Sequence, residues 1–282
     1  MARLLWVDRQ GSTLGTLGDP GRYWTLRLAP DGTRAVVNPG PDLWLLRPDG
    51  RHTRLTTGGR PQQSYLAVLN HDGSEMVFQQ RRGLSRRPLD PQSAATELGG
   101  ARGSPSDWSS DGRWLLTVGR ATEQSTTSDI LAYDFQAKSV RTWLATAFSE
   151  THPRFSPDGR WVAYTSNLSG RDEVYVRHFE GDAEPVPVST NGGGHPQWRR
   201  DGNELFFLNP ADEMMSVSVA RSGSTITTGK PQRLFRIPLN DITRAGYSPY
   251  GVTPDGQRFL LNVPDRPTPL FFMEGLEGLV KR

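Results

Sequence analysis

A hairpin turn followed by a short β-rich run stands at Phe155-Ser156-Pro157-Asp158-Gly159-Arg160-Trp161-Val162-Ala163-Tyr164. Glycine adopts positive φ without a Cβ clash, and the aspartate before it can accept hydrogen bonds from the amides of the turn. The run after the turn is rich in aromatic and β-branched residues, which favour strands. The stretch therefore predicts two antiparallel strands joined at Asp158-Gly159.

The same pattern occurs six times along the chain. In each copy an apolar or aromatic residue stands three positions before an Asp-Gly pair, and a hydrophobic run follows the pair. The pairs are Asp31-Gly32, Asp72-Gly73, Asp111-Gly112, Asp158-Gly159, Asp201-Gly202 and Asp255-Gly256. Successive pairs are separated by 41, 39, 47, 43 and 54 residues. A period near 40 residues indicates a repeat architecture.

A β-rich run follows every turn, and in most copies a third and a fourth run come after it. The second runs are Ala35–Val37, Met76–Phe78, Trp114–Leu116, Trp161–Tyr164, Leu205–Leu208 and Phe259–Leu261. Six units of four strands predict an all-β fold, a six-bladed β-propeller with four-stranded antiparallel blades. One such sheet cannot bury both faces by itself, whereas a closed ring of sheets buries every face.

The composition agrees with this fold and excludes several classes of protein. The 282 residues include 30 Gly and 22 Pro, which is too rich in turn formers for a helical bundle. No apolar stretch approaches the roughly 20 residues of a membrane helix, so no membrane insertion of this chain is expected. The absence of cysteine excludes disulfides, thiolate metal sites and a cysteine nucleophile. A net charge of only +3 argues against nucleic acid as a partner.

The two ends of the chain compete for one place in the ring. The segment from Leu5 to Gly11 resembles the third-strand segment from Leu43 to Gly50, so the N-terminal strands, about 1–18, should complete the last blade. The C-terminal strand and tail, about 268–282, contain a second candidate in Leu270–Met273. We therefore predict one propeller domain over residues 1–282 and leave open which segment is inner in the closing blade.

Several of these segments resemble a known family of repeats. Phe155–Tyr164, Glu173–Arg177 and Trp198–Gly202 look like TolB-type, WD40-like (PD40) propeller repeats. The chain as a whole resembles the C-terminal propeller module of bacterial serine/threonine kinases, although it carries no kinase motif. The resemblance implies an extracytoplasmic (periplasmic or cell-surface) sensor or interaction domain, with a cytoplasmic location still open. It describes turns and core strands, and so it is specific for the fold alone.

Two histidines are candidates for a site at the mouth of the central channel. His152 and His195 both stand six residues before the turn aspartate, where the first strand of a blade should begin and face the channel. Two imidazoles on adjacent blades could hold a divalent metal or an anion, with Glu150 as the nearest third ligand. The competing interpretation is structural, because each histidine precedes a proline and could cap the strand by hydrogen bonding to loop backbone.

Arginines form the second candidate feature, since several fall on loops that should share the upper rim of the ring. Those we assign to a ligand-binding rim are Arg60, Arg102, Arg120, Arg171 and Arg244. Arginine suits carboxylate and phosphate partners, so the rim could bind a protein or a small acidic ligand. Acidic residues map to the same loops, and a mixed solvated surface is the alternative.

The sequence contains none of the standard hydrolase motifs, neither Gly-x-Ser-x-Gly nor His-Glu-x-x-His. We therefore predict a non-catalytic, monomeric binding module with no cofactor, apart from the open question of a metal at His152 and His195. The alternative is a propeller-type lyase or hydrolase, because such enzymes build sites from scattered channel residues that leave no motif.

Overall fold

Each Asp-Gly turn joins the first two strands of one antiparallel sheet. A computed structural model describes residues 1–57, 66–80, 83–181, 183–239 and 249–265, and within these ranges six sheets form a closed ring. The described residues contain no helix that could cross a membrane. The predicted six-bladed propeller with four-stranded antiparallel blades is confirmed.

The first three blades each take their four strands in chain order. Blade 1 consists of β3 (Leu26–Leu28), β4 (Ala35–Val37), β5 (Trp44–Leu46) and β6 (Thr53–Arg54). Blade 2 consists of β7 (Ala67–Leu69), β8 (Glu75–Gln80), β9 (Gly83–Pro88) and β10 (Thr96–Glu97). Blade 3 consists of β11 (Ser104–Trp108), β12 (Trp114–Gly119), β13 (Asp129–Asp134) and β14 (Ser139–Leu144).

The last three blades include one irregular sheet and the closing blade. Blade 4 consists of β15 (Glu150–Phe155), β16 (Trp161–Ser166), β17 (Glu173–His178) and β18 (Val186–Pro187). Blade 5 consists of β19 (Gly194–Trp198), β20 (Glu204–Leu208), β21 (Glu213–Ser222), β22 (Thr225–Thr228) and β23 (Gln232–Arg236), the last two pairing with different parts of β21. Blade 6 consists of β24 (Tyr250–Val252), β25 (Arg258–Pro264), β1 (Ala2–Asp8) and β2 (Thr13–Thr16).

The turns have the chemistry that the sequence predicts. All six turn glycines have φ between 68° and 76°, a region that side chains with a Cβ rarely adopt. In all six, the aspartate Oδ1 accepts a hydrogen bond from the backbone amide two residues later, at 2.8–3.2 Å. At Asp201, hydrogen bonds from the Arg199 side chain add to this and lower the pKa of the carboxyl to about 2. These aspartates are therefore turn residues.

The N-terminal segment closes the ring as the third strand of blade 6. Strand β1 pairs with β25 along its whole length, from Ala2 opposite Pro264 to Asp8 opposite Arg258, and β2 forms the outer edge. Leu270–Met273, the competing segment, lies outside the described residues. Seven residue pairs join β1 to β25, so the N-terminal strand takes the inner of the two places that the sequence left open.

The core lies between blades. Six clusters of buried apolar side chains each draw residues from two neighbouring blades, one cluster for every blade-to-blade interface in the ring. Burying a leucine or phenylalanine side chain contributes about 1.5–3 kcal/mol to folding. Each blade thus depends on both of its neighbours, and the closing blade completes two of the six interfaces.

Blade 2 has the most polar third strand, and both of its arginines have partners within the fold. Arg86 forms an ion pair with Glu75 at 2.5 Å and lies 5.1 Å from the centre of the Trp108 ring. Arg87 donates to the carbonyl oxygens of Leu55 and Asp90, at 2.6 and 2.9 Å. Pro88, which has no backbone N–H to donate to a neighbouring strand, is the last residue of β9. A charged segment can therefore occupy a blade interior because neighbouring elements supply its partners.

Candidate functional site

The innermost strands form a closed ring around the central channel, each touching the first strand of the next blade. Their repeat-equivalent residues therefore stand at the same depth. The position four before the turn aspartate holds, from blade 1 to blade 6, Arg27, Val68, Asp107, Arg154, Gln197 and Gly251. Blades 1, 3, 4 and 5 thus place polar or charged side chains at one depth, and all four side chains line cavities of the channel.

A β-bulge interrupts the first strand in three consecutive blades. The pairing register shifts between Pro105 and Asp107, between Thr151 and Arg154, and between Gly194 and Gln197. In the last two bulges the extra residue is a histidine with positive φ, 52° at His152 and 56° at His195. Bulges redirect side chains and occur next to binding sites. In these two bulges a proline directly follows the histidine in the sequence.

The bulges bring the two histidines together as the sequence predicts. The centres of the two imidazole rings are 3.9 Å apart and the rings are tilted by 43°. The Nδ1 atoms of both rings are buried and have no hydrogen-bond partner among the described residues. Burial lowers the pKa of His152 well below its ordinary value, with His195 as the second cause, and burial lowers the pKa of His195 to about 4. Both imidazoles are therefore neutral at pH 7.

Two of the earlier interpretations of these histidines gain no support from the geometry. Neither ring hydrogen bonds to loop backbone in the described part of the chain, so capping through the imidazole is not observed. Glu150, the proposed third ligand, accepts a hydrogen bond from Thr146 at 2.5 Å, while its other carboxylate oxygen is buried without a partner. Across the described ranges, no three His, Asp or Glu side chains are grouped closely enough to hold a metal ion.

A pair of arginines occupies the middle of the channel. The Arg27 Nη2 atom donates to the carbonyl oxygen of Ser106 at 3.0 Å, and Arg154 Nη1 donates to the same oxygen and to Ser106 Oγ. Burial, and then the charge of Arg154, lower the pKa of Arg27 to about 9. Neither guanidinium forms an ion pair with any described carboxylate. Two positive charges thus share one neutral acceptor.

Asp107 is the acidic member of this cluster. Its Oδ2 atom accepts a hydrogen bond from the Phe155 amide at 2.7 Å, and burial raises the pKa of its carboxyl. Arg154 and Arg27 act in the opposite direction, but both lie beyond ion-pair distance. One carboxylate therefore stands beside two guanidiniums, and the cluster is short of negative charge.

Two cavities meet at the arginines. The upper cavity, of about 360 Å³, opens on the rim where the first strands begin, and Arg120, Thr126 and His152 contribute to its wall. The lower cavity, of about 210 Å³, opens on the side of the Asp-Gly turns and is lined in part by Trp108 and Trp198. Arg27 and Arg154 line both cavities. The guanidiniums therefore form the floor that separates the two mouths of the channel.

The rim arginines that the sequence suggests have different surroundings. Arg120 is exposed and lines the upper cavity. Arg102 donates to the carbonyl oxygen of Ala121 at 2.9 Å, and Arg171 pairs with the buried Glu173 at 2.9 Å, so both are occupied in holding loops. Arg60 and Arg244 lie outside the described residues. Of the described rim arginines, only Arg120 joins the channel cavity.

Sequence reasoning missed Arg27, Asp107 and Arg154. Each stands one position before the apolar residue that marks the repeat, in a strand whose other residues suit a core. The available signal is a charged residue at the same repeat position in three blades. The signal becomes visible when the six copies are aligned on the turn aspartate, because the position four residues before it is charged in three copies.

The comparisons with known proteins concern the fold. No protein-family model matches the sequence, and no curated protein matches it significantly. A TolB-type protein from Agrobacterium tumefaciens has a similar structure, with a TM-score of 0.69 and 17% identity, covering 93% of this chain and 98% of that one. TolB from Acinetobacter baumannii has a TM-score of 0.55 and 16% identity, covering 93% of this chain and 63% of that one. An oligogalacturonate lyase in complex with manganese has a TM-score of 0.55 and 15% identity, covering 93% and 97%.

At these identities the likeness establishes the fold alone. The chain is a TolB-like β-propeller in architecture, which confirms that part of the resemblance drawn from its repeats. The closer resemblance to the propeller modules of bacterial serine/threonine kinases stays a prediction. The similar structures include TolB proteins and a lyase, so the activity of this chain has to be argued from its own channel.

Proposed function

We propose that this propeller is a non-catalytic binding module, and that a protein segment or a small acidic ligand enters its channel from the upper rim. The observation that supports the proposal is the upper cavity of about 360 Å³, whose wall is built from blades 1 to 4 and whose floor is charged. Concave sites with a few convergent polar groups are where ligands bind in proteins. A rigid ring that presents loops around such a cavity suits recognition.

Location and context follow from the resemblance. We place the module outside the bacterial cytoplasm, as an envelope protein or the sensor part of a receptor kinase, because its repeats resemble those of such proteins. Arg120 supports a role as a sensor, because it is exposed at the edge of the upper cavity. From there it can contact a ligand that extends beyond the cavity. Fractionation of the native host, with detection of this chain in the envelope, is the check.

The experiment that tests the binding role compares the two mouths of the channel. Thr126→Trp should block the upper cavity, and Ser110→Trp, its matched control, should block the lower one. The purified variants are screened by thermal shift against acidic sugars, nucleotides, cell-wall fragments and divalent metals, because a ligand that binds only the folded state raises the melting temperature. We expect a shift that Thr126→Trp abolishes and Ser110→Trp keeps. The reverse pattern, or no shift with any compound, would contradict binding of a small ligand at the upper mouth.

A second candidate function is a lyase or hydrolase that uses the same cavity. The observation that favours it is the neutral imidazole of His152 in the wall of the upper cavity, since a neutral imidazole can accept a proton from a substrate. The two functions separate by mutation. An enzyme should lose turnover with His152→Ala while still binding its substrate, whereas a binding platform should tolerate that change and respond to the rim variant Arg120→Glu, which alters the upper cavity.

A further inference from the structure

We propose that Arg27 and Arg154 together receive one carboxylate group of the ligand. This inference rests on the proposed binding function and specifies its chemistry. It requires unpaired donors that reach the cavity, a deficit of negative charge, and a shape that a carboxylate matches, and the described residues provide all three.

The donors are the nitrogen atoms that the fold leaves unused. Arg154 is only 8% exposed, and its hydrogen bonds to Ser106 and to the Pro153 carbonyl all come from Nη1. Its Nε and Nη2 atoms donate to no described residue, and the same holds for Nη1 of Arg27. None of these three nitrogens is a fully buried atom without a partner, so each reaches the space of the channel.

The charge of the cluster selects a monoanion. Two guanidiniums stand against one carboxylate, Asp107, while the neighbouring imidazoles of His152 and His195 are neutral. With Asp107 ionised, the cluster carries one uncompensated positive charge, and a single carboxylate on the ligand neutralises it. A phosphate dianion would leave an excess negative charge at a depth where charges are poorly solvated.

The geometry favours a carboxylate for a second reason. The Nε and Nη2 atoms of one guanidinium form a planar fork that matches the two oxygens of a carboxylate. Both atoms of this fork are free on Arg154, whose position is held by the Ser106 contacts. The fold thus presents a preorganised fork at the floor of the upper cavity, with Arg27 adding a further donor beside it.

Two sources can supply such a group, namely a free small carboxylic acid and the C-terminal carboxylate of a peptide. The probes are therefore sodium acetate, pentaglycine with a free C-terminus, pentaglycine amide and inorganic phosphate, titrated calorimetrically into the purified chain at pH 7 and low salt. We expect the free pentaglycine to bind at least about tenfold more tightly than its amide, the effect of losing one hydrogen bond between charged groups. Acetate binding as tightly as pentaglycine would assign the site to small acids, and weaker acetate binding to a chain terminus.

The variants identify the residues. Arg27→Met should weaken binding of the acid at least about tenfold. Asp107→Asn should strengthen it, because the competing carboxylate is removed. Arg200→Met is the matched control, since Arg200 is an exposed arginine of the lower cavity and should leave binding unchanged. Circular dichroism of each variant confirms folding, and Asp107→Asn keeps the test informative if an arginine variant fails to fold.

Three results would overturn the inference: equal affinity for pentaglycine and its amide, unchanged affinity in Arg27→Met, or tighter binding of phosphate than of acetate. Its failure is distinguishable from failure of the proposed function. A ligand whose binding is abolished by Thr126→Trp and unaffected by Arg27→Met would leave the binding module intact and refute only the carboxylate site.

Discussion

His152 and His195 pack against each other in the channel, with ring centres 3.9 Å apart, although they belong to different blades. Each is the extra residue of a β-bulge, and each has a left-handed backbone conformation. The contact therefore depends on the same bulge being built twice, at equivalent positions of neighbouring repeats. Burial lowers the pKa of both imidazoles, and at His152 the neighbouring His195 adds to this effect.

The first prediction concerns the pH dependence of stability. The folded-state pKa of His195, about 4, lies below its ordinary value of 6.5, so between these values the unfolded chain binds a proton that the folded chain does not. The contribution of His195 is complete above pH 6.5 and is lost as the pH falls toward 4. At pH 5 the loss should be about 2 kcal/mol. Urea unfolding at pH 7 and pH 5 should show that His195→Asn removes this part of the acid sensitivity.

The control for that measurement is His71→Asn, which changes an exposed histidine. It should leave the difference between pH 7 and pH 5 as in the unmodified protein. An equal pH dependence in the unmodified protein and in His195→Asn would show that burial does not lower the pKa of His195 in the folded protein.

The second prediction separates the side chain of His152 from its backbone. Asparagine tolerates the left-handed conformation, whereas alanine there costs about 1–2 kcal/mol. We expect His152→Ala to lower the free energy of unfolding at pH 7 by about that amount more than His152→Asn. Equal stabilities of the two variants, measured by chemical denaturation, would mean that the bulge relaxes when the imidazole is removed.

The third prediction concerns the contact between the first and last blades. A Cβ atom on Gly32, where φ is +70°, would lie 2.6 Å from the Pro254 Cδ atom, whereas one on Gly112, where φ is +76°, would meet nothing within 4 Å. Both variants incur the cost of a left-handed alanine, about 1–2 kcal/mol, and only Gly32→Ala adds a steric conflict between blades. Its melting temperature should therefore fall further than that of Gly112→Ala. Matching melting temperatures would indicate that the two blades can move apart at no cost.

The fourth prediction tests closure of the ring by the N-terminal strands. Leu4 in β1 is 1% exposed, and Leu14 in β2 is 52% exposed. Leu4→Ala should destabilise the protein by about 2–5 kcal/mol, as expected for a buried leucine. Leu14→Ala should change stability by less than about 0.5 kcal/mol. Similar effects of the two substitutions in urea unfolding would argue against the pairing of β1 with β25 in solution.

The sequence predicts most of the fold because its signals are local. An Asp-Gly pair forms a tight turn whatever surrounds it, so six copies of that pair with apolar runs on both sides imply six hairpins and a ring. The place of β1 was also predictable from its likeness to the third strand of blade 1. The choice between the two ends of the chain was not, because it depends on the pairing of β1 with β25.

The candidate site was only partly predictable. The equivalence of His152 and His195 could be read from their distance to the turn, but the contact between their rings follows from two bulges. Arg27, Ser106 and Arg154 come from blades 1, 3 and 4 and meet only because the ring closes. The sequence by itself determined the repeat and the turns, which depend on residues near one another in the chain. The charged floor of the channel was decided by the tertiary structure alone, because hydrogen bonds and charge balance depend on distances between strands that the chain order does not contain.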